Sequence, residues 1–281
     1  MNTVLITGCS SGIGRALCNT FLTQGFKVYA SARNLASLDD LSDHPNLTRL
    51  SLDVNNASSI HNAVAAIKQD CTKLNILVNN AGYAAMGPLL DMPIEDLRAQ
   101  FETNVFAPME VTKACLELLM KSANAQVVNI GSVSGITTTP FSGAYCATKA
   151  ALHSLSDAQR MELAPLGIKV ITVQPGAIES KFGDNSLTGV LKRISDHSLY
   201  APLKEAIKAR ATASQDNPTS AAEFSNILVE QLNKNPKAVI RIGNGSFVLP
   251  FLQRWLPTAT LDKILSKKFN LSVLSRSAKQ K

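Results

Sequence analysis

Several things are missing from this 281-residue sequence, and each absence removes a class of function. No run reaches the ~18 consecutive apolar residues that a membrane-spanning helix needs. Cysteine is sparse and scattered (Cys9, Cys18, Cys71, Cys115, Cys146), odd in number and without metal-ligand spacing. The four histidines, His44, His61, His153 and His197, form no pair at metal spacing either, so no metal site is expected. No leader-like segment, internal repeat or low-complexity stretch is visible, and a reduced, cytoplasmic setting is expected. Basic residues outnumber acidic ones, 28 to 21. The excess lies at one end with no binding motif beside it, which argues against nucleic acid as a partner.

What is present begins with strand-like runs near 3–7, 27–31, 48–52, 74–78, 126–131, 168–174 and 238–242, alternating with helical patterns. That alternation implies an α/β fold: a single Rossmann-type, doubly wound parallel sheet of about seven strands with helices on both faces. Its ligand crevice would lie at the carboxyl ends of the strands. The catalytic domain is expected to span 1–249, with a substrate lid near 178–220 and a basic amphipathic extension over 250–281. Long helices are expected over 95–121 and 143–164.

Two local patterns carry chemistry. Thr7-Gly8-Cys9-Ser10-Ser11-Gly12-Ile13-Gly14 follows the apolar run Val4-Leu5-Ile6 and precedes a helical pattern. Strand, glycine-rich turn and helix let the backbone approach a pyrophosphate and place the helix's unpaired N–H groups on it. The second pattern is Tyr145 and Lys149 in Gly143-Ala-Tyr-Cys-Ala-Thr-Lys149, four residues apart on one helical face. A phenol titrates near ~10, and an ammonium one turn away favours its ionised form and brings it toward usable acid/base chemistry. Cys146, about 100° around the helix from Tyr145, reads as packing.

The spacing Gly-x-x-x-Gly-x-Gly, preceded by Thr7, resembles the short-chain dehydrogenase/reductase family, and the resemblance covers roughly residues 1–200. It extends to Asn79-Asn80-Ala81-Gly82, which resembles the element beside the adenine ring, and to Asn104 in Glu102-Thr-Asn-Val105. It also includes Ser132, thirteen residues before Tyr145, and Pro175-Gly176, which would border the nicotinamide. The resemblance implies a catalytic set of Asn104, Ser132, Tyr145 and Lys149. Tyr145 would give the proton in reduction and take it in oxidation, because a carbonyl gaining hydride develops charge on oxygen. Lys149 would lower the tyrosine pKa and hold the nicotinamide ribose, Ser132 would bind the substrate oxygen, and Asn104 would hold a water beside Lys149. Ser134 is the alternative to Ser132. Gly8, Ser10, Ser11, Gly12, Ile13, Gly14, Arg33, Asp53, Val54, Asn80, Ala81, Gly82, Pro175 and Gly176 would bind the cofactor along with Tyr145 and Lys149. For Asp53 the alternative is a cap on the helix that follows.

The second strand bears on which nicotinamide is used. Its end carries Ala32 and then Arg33, where NAD-binding folds place an acid for the ribose 2′-hydroxyl. A guanidinium there can hold a 2′-phosphate through paired hydrogen bonds, so NADP(H) is the expected cofactor, with a solvated turn residue as the alternative reading of Arg33. The expected substrate is a bulky hydrophobic ketone or aldehyde, lipid-, steroid- or aromatic-like, held by an apolar wall with Met86, Leu89, Leu90 and Phe141 as candidates. Oxidation of a steroid- or retinoid-type alcohol, on the same residues, is the alternative. A cofactor-binding sensor without catalysis is a distant third reading. The front half resembles hydroxysteroid and retinol dehydrogenases. The ending resembles acyl-dihydroxyacetone-phosphate reductases, which hints at a lipid.

From Pro250 the basic residues Arg254, Lys263, Lys267, Lys268, Arg276, Lys279 and Lys281 face a single acid, Asp262. Phe251, Leu252, Trp255, Leu256, Leu261, Ile264 and Leu265 recur there at helical spacing. This segment could dock over the pocket, lie on an anionic membrane surface, or meet an acidic partner. A homodimer or homotetramer on the two long central helices is implied by the resemblance.

Overall fold

The structure is a computed structural model that describes residues 1–180, 182–194 and 197–277. Lys279, Lys281, the side chain of Arg276 and positions 181, 195 and 196 of the expected lid lie outside the described residues. Seven parallel strands are formed by Thr3–Ile6 (β1), Lys27–Ala32 (β2), Leu47–Ser51 (β3), Ile76–Asn79 (β4), Ala125–Ile130 (β5), Ile168–Pro175 (β6) and Val239–Ile242 (β7). Their order is β3-β2-β1-β4-β5-β6-β7, so the winding reverses between β1 and β4 and opens a crevice at the strand ends. Helices follow at Gly12–Thr23 (α1), Ala57–Asp70 (α2), Ile94–Phe101 (α3), Ala107–Met120 (α4), Gly143–Leu163 (α5), Phe182–Arg193 (α6) and Lys204–Thr212 (α7). The last four are Ala221–Asn233 (α8), Val248–Trp255 (α9), Thr258–Lys268 (α10) and Ser272–Ser277 (α11).

Strand alternation sends Val4 and Ile6 to one face of the sheet and Leu5 to the other. The first face packs Leu17, Phe21, Phe224 and Leu228 of α1 and α8 against β1, β2 and β6. The second packs Ile60, Ile67, Val111 and Leu118 of α2 and α4 against β1, β4 and β5. A side chain of this size, fully buried, contributes about 1.5–3 kcal/mol, so the two layers fix the sheet and with it the strand ends that build the site. Asn129 on β5 ties α5 to this second face by donating to Ser156 Oγ at 2.9 Å.

The continuous helix expected over 95–121 is interrupted. Between α3 and α4, residues Glu102–Phe106 form a π turn in which Ala107 N–H donates to Glu102 O. Pro108 supplies a reason: it has no N–H for the carbonyl of Asn104, four residues back, where an α-helix needs one. The interruption therefore falls on one of the expected site residues.

A third apolar cluster lies outside the sheet. Phe269, Leu265, Leu271 and Leu274 from the C-terminal helices pack with Val190, Leu203, Ile207 and Ala211 of α6, α7 and the turn between them, around Phe141 and Tyr145. The C-terminal segment is thus built into the wall over the crevice. Among the described residues no helix is long and apolar enough to cross a membrane.

Candidate active site

A cavity of about 790 Å³ opens at the carboxyl ends of β1, β2, β4, β5 and β6. At one end lies the turn between β1 and α1. Gly8 has φ +74°, and a Cβ on it would meet Ala81 Cα at 2.9 Å; Gly12 has φ +54° and would place a Cβ 2.9 Å from that of Ser180. Any side chain at either position would be strained and would fill the space where a pyrophosphate must come close. α1 begins at Gly12 with no side-chain cap from Ser11 and no acid in its first turn. Its first N–H groups and positive dipole end are left for an anion. These features fit a dinucleotide.

Ser10, Ser11, Ile13, Asp53, Val54, Asn80, Ala81, Gly82, Pro175 and Gly176 line the same cavity, as do Ser132, Tyr145 and Lys149. Gly14 and Asn104 are not among the lining residues. Gly14 serves packing, because a Cβ there would stand 2.3 Å from Gly8 O and 2.5 Å from Asn80 Nδ2. Asn80 Nδ2 in turn donates to Thr7 O at 2.8 Å and Gly8 O at 3.0 Å, holding the glycine turn to β4. Asp53 is not the cap of α2. That role belongs to Asn56, which accepts from Ser59 N at 2.9 Å, while Asp53 Oδ1 accepts from Asn55 N. At the end of β2, Ala32 is buried and Arg33 is exposed on the cavity wall, with no ion pair among the described residues.

The catalytic candidates meet where β5 ends. Ser132 caps a short 3₁₀ turn, Val133–Gly135, and its Oγ accepts from Ser134 N at 3.1 Å. This makes Ser134 a support for Ser132 and leaves the Ser132 hydroxyl proton free to donate. Lys149 donates from Nζ to Ile130 O at 2.7 Å, and its ammonium stands 5.8 Å from the centre of the Tyr145 ring. Burial lowers the Lys149 pKa to about 8. Burial also pushes the Tyr145 phenol up to about 12, against the lowering effect of its hydrogen bond with Ser132 and of the Arg210 guanidinium. The lowering expected from Lys149 thus comes instead from Ser132 and Arg210, and removal of the phenol from water outweighs both.

Asn104 is buried, and both ends of its amide are committed. Oδ1 accepts from Tyr83 N at 3.1 Å, and Nδ2 donates to Tyr83 O at 2.8 Å and Thr148 Oγ1 at 3.1 Å. The side chain clamps the loop after β4 to α5.

Two residues were not singled out from the sequence as part of the site. His153, one turn beyond Lys149, lies against Gly131 and Gly135: a Cβ on either would fall 2.3 Å from Nε2 and 2.6 Å from Cε1 respectively. Ser132 N donates to His153 Nε2 at 3.3 Å, which fixes the backbone that carries the Ser132 hydroxyl. Burial first, then the Lys149 charge, lowers the His153 pKa to about 4, so it stands neutral and able to accept. Arg210 on α7 is the second, and lines the substrate side of the cavity with Met86, Phe182, Leu249 and Phe269. Phe182 covers Tyr145 with ring centres 5.5 Å apart. Leu89 and Leu90, expected in this wall, are exposed and outside it, Leu89 lying instead over Gly143; Phe141 is buried behind it.

Known proteins resemble this chain along most of its length. The family profile described as short chain dehydrogenase matches residues 2–189. A probable short-chain type dehydrogenase/reductase of Helicobacter pylori is 32% identical over 273 residues, covering 97% of this chain and 98% of its own. An NADPH-dependent 3-dehydrocapnine reductase of Ornithobacterium rhinotracheale is 32% identical over 277 residues, 95% and 97% of the two chains. Among solved structures, a short-chain dehydrogenase from Streptomyces avermitilis superposes with a TM-score of 0.77 at 28% identity, covering 98% and 97%.

Proposed function

The chain belongs to the short-chain dehydrogenase/reductase family of oxidoreductases acting on CH–OH or C=O groups, and from that footing we propose that it is an NADPH-dependent carbonyl reductase of a bulky, hydrophobic ketone or aldehyde. The observation that carries this reading is the meeting of Ser132, Tyr145 and Lys149 in one cavity that Met86, Phe182, Leu249, Leu265 and Phe269 also line. The bound nicotinamide would supply the hydride. Tyr145 would give its phenolic proton to the carbonyl oxygen as charge develops there, while the Ser132 hydroxyl holds that oxygen. Lys149 would hold the nicotinamide ribose and favour the phenolate left behind. Asn104 would act as the clamp that keeps α5 against the loop after β4. Gly14 would serve the nucleotide only through the shape of the turn.

A phenol held near 12 is protonated at neutral pH, the state that a proton donor to a carbonyl must start from. Oxidation of a steroid- or retinoid-type alcohol uses the same groups with Tyr145 as base. The preference for NADP(H) rests on Ala32 and Arg33 at the end of β2, and the Ornithobacterium relative bears NADPH in its name. NADPH oxidation on a panel of long-chain ketones, aldehydes and steroids is the test. Turnover of at least one of the long-chain carbonyls is expected, and NADP⁺ reduction by alcohols alone would reverse the assignment.

A second reading concerns the surface beside the cavity mouth. Phe247, Val248, Phe251 and Trp255 are exposed on and before α9, with Arg254 stacked 5.9 Å from the Trp255 ring. Lys263, Lys267 and Lys268 follow on α10. An apolar helix face bordered by cations fits an anionic bilayer surface, from which a lipid-like substrate could enter. Sedimentation with phosphatidylserine vesicles, and not with phosphatidylcholine vesicles, is expected. Failure to sediment, or self-association through Trp255, would remove this reading. A homodimer or homotetramer built on α4 and α5 completes the proposal.

A further inference from the structure

Arg210 is a cation that no acid answers among the described residues. It lines the substrate side of the cavity from α7, together with Met86, Phe182, Leu249 and Phe269. Its Nε donates to Thr139 Oγ1 at 2.7 Å and one terminal nitrogen to Ser142 Oγ at 3.1 Å. Those two hydroxyls also bond each other at 2.8 Å, and Ser142 caps nothing at the start of α5, so both are turned toward the guanidinium. The planar fork is thereby held in one orientation with two of its five N–H groups used. Among the described residues no carboxylate pairs with it. Burial lowers the arginine's own pKa, and Cys146 and Tyr145 act against that.

A half-buried guanidinium without a counter-charge is costly to the fold, and neutral hydroxyls offset only part of that cost. The acids that do line the cavity lie elsewhere: Asp53 after β3, at the cofactor end, and Asp216, exposed beyond α7. A second cation, Lys268, without an ion pair among the described residues, stands exposed on the same wall at the end of α10. The substrate half thus combines apolar side chains, one guanidinium held by Thr139 and Ser142, and one exposed ammonium.

Resting on the reductase reading above, we propose that Arg210 binds an oxyanion carried by the substrate, a carboxylate or a phosphate monoester, so that the substrate class is an anionic carbonyl compound with an apolar chain. Arg210 is then a specificity residue: it fixes which end of the chain lies near Tyr145. Lys268 attracts the anion on entry. The competing role for Arg210 is a strut that ties α7 to the loop before α5 through Thr139 and Ser142, and the two roles part in a binding experiment.

The probes are decanoate, decyl phosphate and decan-1-ol, bound to the NADP⁺-loaded enzyme and followed by calorimetry. At least one anion is expected to bind about tenfold or more tightly than the alcohol, the scale of a charge-assisted pair, and the tighter of the two anions identifies the group. Arg210→Met is expected to abolish that preference with NADP⁺ affinity unchanged, and Arg210→Lys to restore part of it. Equal affinities for all three probes in the wild type overturn the proposal. So does a preference that survives in Arg210→Met, or an Arg210→Lys variant that behaves as the methionine one. A strut would cost thermal stability and leave the preference intact. Failure of the reductase reading appears elsewhere, as no NADPH oxidation by any carbonyl while the anion preference persists.

Discussion

Replacing His153 with glutamine probes the floor of the site without touching a reacting group. The imidazole is packed against Gly131 and Gly135 and accepts from Ser132 N, which requires its neutral form. Its pKa falls from the usual 6.5 to about 4 in the fold, mainly through burial and then through Lys149; Arg241 adds to this and Asp157 opposes it. Between those values the unfolded chain binds a proton that the folded chain does not. Stability from this residue is therefore full above pH 6.5 and lost as pH falls toward 4. The whole difference is about 3 kcal/mol, of which about 2 kcal/mol is gone by pH 5. Both figures are upper bounds, because the ring is partly exposed. Glutamine keeps an acceptor for Ser132 and does not titrate. Denaturant unfolding at pH 7.5 and pH 5.0 should show the wild type losing about 2 kcal/mol more than His153→Gln over that interval. The exposed carboxylates Asp70, Glu117 and Glu230, whose pKa values are lowered by lysine partners, contribute equally to both proteins and cancel. Identical pH dependence in the two proteins would refute the assignment of His153 as a neutral support beneath Ser132.

Two further substitutions test the cofactor end. Arg33→Ala should weaken NADPH binding by about tenfold or more, the range of a charge-assisted hydrogen bond, and leave NADH nearly unchanged in a fluorescence titration. Equal losses for the two nucleotides would remove the basis for an NADP preference. Gly14→Ala forces a Cβ to 2.3 Å from Gly8 O, so a loss of at least about 1–3 kcal/mol and a lower Tm are expected in thermal unfolding. An unchanged Tm would mean that the turn is looser than its geometry.

The parts of the molecule that the sequence makes legible are those in which residue identity and short spacing carry the chemistry. Gly8 and Gly12 declare a turn that other residues cannot adopt, and Tyr145 and Lys149 declare a shared helical face. The seven strands are equally plain, because buried parallel strands read as unbroken apolar runs. What stays hidden depends on distance along the chain. His153 meets Ser132 across 21 residues, and Arg210 meets Thr139 across 71; nothing in a single sequence reports such pairings. The expectation that Lys149 lowers the phenol pKa misses burial, which is a property of the whole cluster around Tyr145. The π turn is an intermediate case. Pro108 stands in plain sight, but apolar periodicity on both sides conceals the break. Leu89 and Leu90 look like pocket lining by composition alone, and only the path of the loop after β4 sends them to the surface.

The central claim is that Tyr145 delivers the proton to a carbonyl oxygen, and steady-state NADPH oxidation by wild type and Tyr145→Phe tests it most directly. The carbonyl compound used should be the one turned over fastest in the panel. Loss of a positioned proton donor should lower kcat/KM by about 10²–10⁴-fold, with NADPH affinity unchanged. A Tyr145→Phe enzyme that retained more than about a tenth of wild-type turnover would contradict the account.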